Sequence, residues 1–108
     1  MTKIGIIGGG SWGTALAILL ANKNNEVHIW VRDKLQLEQI KESRENKKYL
    51  PGVTIPEGIV LTDDISKAIY KKDLVVLATA SHGIRDTLNK SKNFFKTDQI
   101  IVNVAKGI

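Results

Sequence analysis

At 108 residues, with 43% apolar and 25% charged side chains, the chain has the make-up of one globular domain able to bury roughly two-thirds of its unfolded surface. It has no cysteine, which excludes disulfides and thiolate metal sites, and no apolar run long enough to span a membrane as a helix. The net charge of +5 favours anionic partners in general, yet the lysines are scattered (Lys47-Lys48, Lys71-Lys72, Lys90, Lys92, Lys96) and no aromatic residues alternate with them. That pattern describes solvated faces rather than a nucleic-acid platform. The first apolar run is short, broken by Gly5 and lacks a small-residue cleavage site. No signal peptide is read, no membrane insertion is expected, and a cytoplasmic protein is the expectation.

The chain opens on a strand, Lys3 to Ile7, and passes directly into Gly8-Gly9-Gly10-Ser11-Trp12-Gly13 and the helix formers Thr14 to Ala21. The spacing is G-x-G-x-x-G. Gly8 permits the tight strand-to-helix turn, Gly10 leaves room for a pyrophosphate against the backbone, and Gly13 lets the helix lie close to the strand. The first helical N–H groups then face the phosphates, with the helix dipole favouring their charge. A glycine cluster alone marks only a flexible turn; set between a strand and a helix, it is read as a dinucleotide-binding turn. The helix from Ser11 to about Asn22 is apolar on nearly every face. Part of it is therefore expected to face a further domain, and complete cover within this chain would remove that expectation.

Lys23-Asn24-Asn25 leads into a second strand, Val27 to Val31, which ends at Arg32-Asp33. Leu37 and Ile40 mark a helix running to about Arg44, and residues 46–52, with Pro56 and Gly58 beyond, read as a loop. Ile59 to Leu61 is a short third strand. Thr62-Asp63-Asp64 offers N-cap chemistry to a short helix marked by Ile65, Ala68 and Ile69. The fourth strand, Leu74 to Ala78, is a continuous apolar run suited to the middle of a parallel sheet. Ile84, Leu88, Ser91 and Phe95 describe another helix, Ile100 to Val104 a fifth strand, and the sequence closes on Lys106-Gly107-Ile108.

Strands alternating with crossovers predict an α/β fold, a Rossmann-type doubly wound parallel sheet of order 3-2-1-4-5, as a single domain over residues 1–108. A dinucleotide would lie across the carboxyl ends of strands one and four. Gly8 to Gly13, Arg32, residues 79–82 and Lys106 all come just after strand ends and fall on that edge.

Two groups compete for the adenine ribose. Asp33 would accept hydrogen bonds from a ribose hydroxyl and favour NAD, while Arg32 would clamp the 2′-phosphate of NADP. Arg32 comes first after the strand, which leans the expectation towards NADPH; a plain surface pair capping a helix is the third option. Trp12 would cover the pyrophosphate or pack on another domain. Lys106 reads as a solvated lysine or, from its place just past strand five, as an anion contact; His28 reads as structural, and Ser81 and His82 read as a helix cap lining the nicotinamide crevice. No nucleophile–base–orienter set and no cluster of metal-ligand spacing is present, so no catalytic residue and no metal is assigned.

Three blocks go beyond a general dinucleotide fold. Gly8 to Ala17, Asn46-x-x-Tyr49-Leu50-Pro51-Gly52 and Lys106-Gly107-Ile108 together resemble the N-terminal part of bacterial NAD(P)-dependent glycerol-3-phosphate dehydrogenases. One departure is Ala80-Ser81-His82, where that family often has Pro-Ser-His. The resemblance implies hydride transfer between a nicotinamide cofactor, NAD or NADP, and the pair dihydroxyacetone phosphate/glycerol 3-phosphate, supplying phospholipid synthesis. It implies that Ser11, Trp12 and Arg32 touch the dinucleotide and that Lys106 touches both cofactor and substrate. The family's acid–base lysine lies in a C-terminal helical domain outside these residues, which implies an N-terminal piece that binds cofactor and turns over nothing alone. Oligomeric state stays open, with a homodimer the candidate for the full-length enzyme. Two other classes compete: a non-catalytic dinucleotide-sensing module, distinguished by the gene sequence beyond Ile108, and a nucleic-acid-binding domain, whose affinity would fall log-linearly with salt.

Overall fold

The computed structural model describes residues 2–79 and 84–104. Strands β1 (Lys3–Ile7), β2 (Glu26–Trp30), β5 (Val60–Thr62), β6 (Leu74–Leu77) and β7 (Ile100–Asn103) form one sheet of order β5-β2-β1-β6-β7. All four pairings are parallel. This is the expected 3-2-1-4-5 order, and the reversal of direction at β1 opens a crevice beside its carboxyl end. Helices α1 (Ser11–Asn22), α2 (Lys34–Ser43), α3 (Ile65–Ile69) and α4 (Ile84–Ser91) make the connections. β1 has the bounds read from the sequence, and the other four strands differ from that reading by one residue at one or both ends, because ladder pairing rather than apolarity sets where a strand begins and ends.

Side-chain alternation divides the core into two layers. Ile4, Ile6, Val27, Ile29 and Val76 point to one face, where Ala17 of α1 and Leu37 and Ile40 of α2 complete the cluster. Ile7, Trp30, Val75 and Leu77 point to the other, against Ala68 and Ile69 of α3. Gly5 faces α3 so closely that a Cβ there would lie 1.6 Å from the Ala68 carbonyl oxygen.

Two elements depart from the sequence reading. Residues 46–52, expected as a loop, form most of a small antiparallel hairpin, β3 (Glu45–Asn46) with β4 (Leu50–Thr54). Pro51 and Gly52 hide it from propensity, but the Glu45 carboxylate accepts the Gly52 N–H at 2.9 Å and the Arg44 carbonyl accepts the Ile55 N–H at 2.7 Å. The helix expected to carry its stripe through Phe95 instead ends at Ser91 and tightens into a 3₁₀ turn, Lys92–Phe94. Phe94 and Phe95 still pack against the second cluster. Helix α1 is not fully covered: Trp12, Ala15 and Leu19, spaced i, i+3, i+7, are exposed.

Candidate dinucleotide site

The sequence after β1 builds an open helix N-terminus. Gly8 sits at φ +130°, a conformation L side chains rarely adopt, and donates its N–H to the Trp30 carbonyl at 3.1 Å. Gly13 is buried behind the turn; a Cβ there would lie 2.0 Å from the Gly8 carbonyl oxygen. This close approach brings α1 down onto the strand end. Gly10 is the N-cap of α1 and has no side chain with which to cap it, and the first turn contains no acidic residue. The leading N–H groups and the positive end of the helix dipole are therefore left for an anion.

The turn forms one wall of a cleft of about 670 Å³, within the size range of small-molecule sites. Gly8, Gly9 and Gly10 line it with Trp30, Arg32, Asp33, Gln36, Lys48, Tyr49, Ala78 and Thr79. Because β1, β2 and β6 run parallel, the segments leaving their carboxyl ends all emerge at the same edge of the sheet. The β3–β4 hairpin folds over that edge and adds Lys48 and Tyr49. Two cations, Arg32 and Lys48, thus line this cleft. Arg32 is exposed and engages no partner among the described residues, and the Lys48 ammonium lies 5.1 Å from the centre of the Tyr49 ring. Asp33 turns one carboxylate oxygen inward to cap α2, accepting the Leu35 N–H at 2.9 Å. The Trp30 indole N–H donates to the Asp63 carbonyl at 3.0 Å, fixing the ring at the cleft wall.

Of the residues singled out by sequence, Gly8, Gly10 and Arg32 line this cleft together. Ser11 and Trp12 line a separate shallow groove of about 260 Å³ with Ala15 and Leu50. Lys106, Ser81 and His82 lie outside the described residues. His28 stands on the α3 side of the sheet, level with Gly5. Its Nδ1 is buried without a hydrogen-bond partner among the described residues, and burial, then the nearby Lys72 charge, holds its pKa below the ordinary 6.5. Sequence reasoning missed Gln36, Lys48 and Tyr49 as cleft residues. The Asn46-x-x-Tyr49 block carries the family resemblance, but its composition reads as loop and assigns neither residue to the cleft. No group of three or more His, Cys, Asp or Glu suited to a metal occurs among the described residues.

Residues 3–108 match the family model described as NAD-dependent glycerol-3-phosphate dehydrogenase N-terminus. The chain is 46% identical over 108 residues to the glycerol-3-phosphate dehydrogenase [NAD(P)+] of Fusobacterium nucleatum and 47% identical to that of Agathobacter rectalis. In both cases the match covers 100% of this chain and 32% of the relative, so the chain spans about a third of their length. Among solved structures, the glycerol-3-phosphate dehydrogenase of Coxiella burnetii superposes with a TM-score of 0.91 at 26% identity, covering 99% of this chain and 33% of that one. The enzyme of Plasmodium falciparum superposes at 0.86 with 29% identity, covering 98% and 32%. With the fold, the glycine turn and nearly every residue matched, the chain belongs to the NAD-dependent glycerol-3-phosphate dehydrogenase N-terminus family.

Proposed function

We propose that this chain is the NAD(P)-binding unit of an oxidoreductase that interconverts dihydroxyacetone phosphate and sn-glycerol 3-phosphate. The observation that carries the reading is the uncapped α1 N-terminus opening, at Gly10, onto a cleft that Arg32 and Lys48 also line. The residues fit a dinucleotide: a Cβ at Gly10 would meet nothing within 4 Å, leaving space against the backbone where a pyrophosphate lies. When bound, the nicotinamide supplies the hydride chemistry. This chain's part is to hold the phosphates at the turn formed by Gly8, Gly10 and Gly13 and to engage the 2′-phosphate with Arg32. Ser11 and Trp12 would contact the dinucleotide at the adjoining groove, and Lys106 would contact cofactor and substrate. The acid–base lysine lies in a helical domain beyond these residues, so residues 1–108 alone bind cofactor without turnover.

The exposed stripe Trp12, Ala15, Leu19 supports a covering domain on the α1 side. Ile100 and Val102 of β7, level with Leu74 and Val76 in the ladder, stand exposed on that same side. The full-length protein would be a cytoplasmic enzyme, with a homodimer as its candidate assembly, that feeds glycerophospholipid synthesis.

The test is a titration of the chain with NADPH and with NADH, read by energy transfer from Trp30 to the reduced nicotinamide. NADPH should bind the more tightly. Arg32→Ala should weaken NADPH about 10- to 100-fold while sparing NADH, the worth of one charge-assisted contact. Gly10→Val should abolish binding of both with the fold intact. Binding of neither cofactor by the parent chain would overturn the reading.

A further inference from the structure

Asn46 is fully buried although it sits on a hairpin whose neighbouring residues Lys47, Lys48 and Tyr49 are exposed. A buried amide is costly unless its donors and acceptor are all engaged. Here they are. Its Nδ2 donates to the Gly9 carbonyl at 2.6 Å and to the Thr14 hydroxyl at 3.0 Å, and its Oδ1 accepts the Tyr49 N–H at 3.3 Å. Gln36 of α2 donates a second amide N–H to the same Gly9 oxygen at 3.1 Å. One carbonyl in the middle of the glycine turn is thus held by two side chains arriving from α2 and β3.

Peptide geometry carries this grip through to the next residue. In a planar trans peptide, the carbonyl of Gly9 and the N–H of Gly10 point in opposite directions. Pinning the oxygen towards Asn46 and Gln36 turns the Gly10 N–H away from them and fixes it there. Only a side chain offering donors and an acceptor at once can hold Gly9, Thr14 and Tyr49 together, and an amide is the uncharged group that does so.

We propose that Asn46, seconded by Gln36, is a positioning residue for the dinucleotide. It locks the Gly9–Gly10 peptide so that the Gly10 N–H is presented to the pyrophosphate before the ligand arrives. Through the Tyr49 N–H it also holds the Lys48–Tyr49 wall at the same cleft. The inference rests on the cofactor reading above and specifies how the turn is made ready for it.

The experiment compares the parent chain with Asn46→Asp, which keeps the size and the acceptor for Tyr49 but sets an oxygen against the Gly9 carbonyl. NADPH is one probe; adenosine 2′-monophosphate, which has no 5′ phosphate, is the other. Asn46→Asp should weaken NADPH about 10-fold or more and adenosine 2′-monophosphate by no more than about twofold, and Gln36→Leu should weaken NADPH about threefold. In the parent, the Gly10 amide proton should move downfield on adding NADPH, and that shift should shrink in Asn46→Asp. A role in folding alone would weaken both ligands together. Equal losses for the two probes, unchanged NADPH binding by a folded Asn46→Asp, or a Gly10 amide unmoved while NADPH binds would each overturn the proposal. If Asn46→Asp does not fold, Gln36→Leu decides: without a loss confined to NADPH the proposal fails. A parent chain that binds neither probe overturns the cofactor reading as well, which separates the two failures.

Discussion

Strand β1 runs through the middle of the sheet with four of its five residues buried, whereas β7, equally apolar in sequence, buries none. β1 has a strand on either side, α1 on one face and α3 on the other. Among the described residues β7 has β6 as its one neighbour in the ladder, and Ile100 and Ile101 remain 64% and 50% exposed on opposite faces. No charge or proline within β7 blunts it in the way edge strands are usually protected. An apolar strand is therefore no measure of core on its own. Burial depends on what is layered over it, and among the described residues the layers close around β1 and leave β7 exposed.

The largest expected effect comes from forcing the two glycines of the turn apart in behaviour. Gly13→Val would drive a side chain into the Gly8 backbone, where nothing flexible can yield, and should cost at least about 3 kcal/mol, unfolding much of the chain in a denaturant titration. Gly10→Val meets open space and should cost less than about 1 kcal/mol in the same assay. A similar loss at both positions would mean that the turn is not packed as described.

Next comes the contrast between the strands. Ile6→Ala, at a wholly buried position of β1, should destabilise by about 2–5 kcal/mol. Ile101→Ala on β7 should change stability by less than about 1 kcal/mol. An Ile101 loss as large as that of Ile6, with a melting temperature that rises with protein concentration, would mean that β7 is covered in solution by a second copy of the chain.

The smallest effect concerns pH. Because the folded chain holds the His28 pKa below 6.5, the unfolded chain takes up that proton first. Stability is therefore complete above about 6.5 and declines as pH falls through that value towards the folded pKa. The Asp64 carboxyl, held below 3.8 chiefly by its hydrogen bond to the Ser66 hydroxyl, acts in a separate, more acidic window. Melting curves between pH 7.5 and 5 should show a slope in the parent that His28→Asn flattens; equal slopes would assign the dependence to another group.

Much of the fold was legible because it is written locally. The β1 run, the G-x-G-x-x-G spacing and the apolar run of β6 each declare an element within a few residues, and a succession of strands and crossovers leaves few topologies open. The hairpin was not legible. Pro51 and Gly52 oppose strand propensity, and what holds Asn46 in place is a carbonyl 37 residues away. The end of α4 escaped for a similar reason: the spacing to Phe95 suits a helix, but packing on the second cluster is satisfied through a 3₁₀ turn. At the site, Arg32 was found because it comes just after a strand end. Lys48, Tyr49 and Gln36 reach the cleft only through the way the hairpin and α2 fold over the sheet.

By itself the sequence determined the order of the main-sheet elements, the strand–glycine turn–helix junction and, through three short blocks, the family. These depend on spacing along the chain, which backbone geometry converts directly into structure. The tertiary structure alone decided that Asn46 and Gln36 grip the Gly9 carbonyl, that Lys48 faces the same cleft as Arg32, and that β7 is left uncovered. Those outcomes depend on which distant surfaces meet, and neither residue type nor local spacing encodes the meeting.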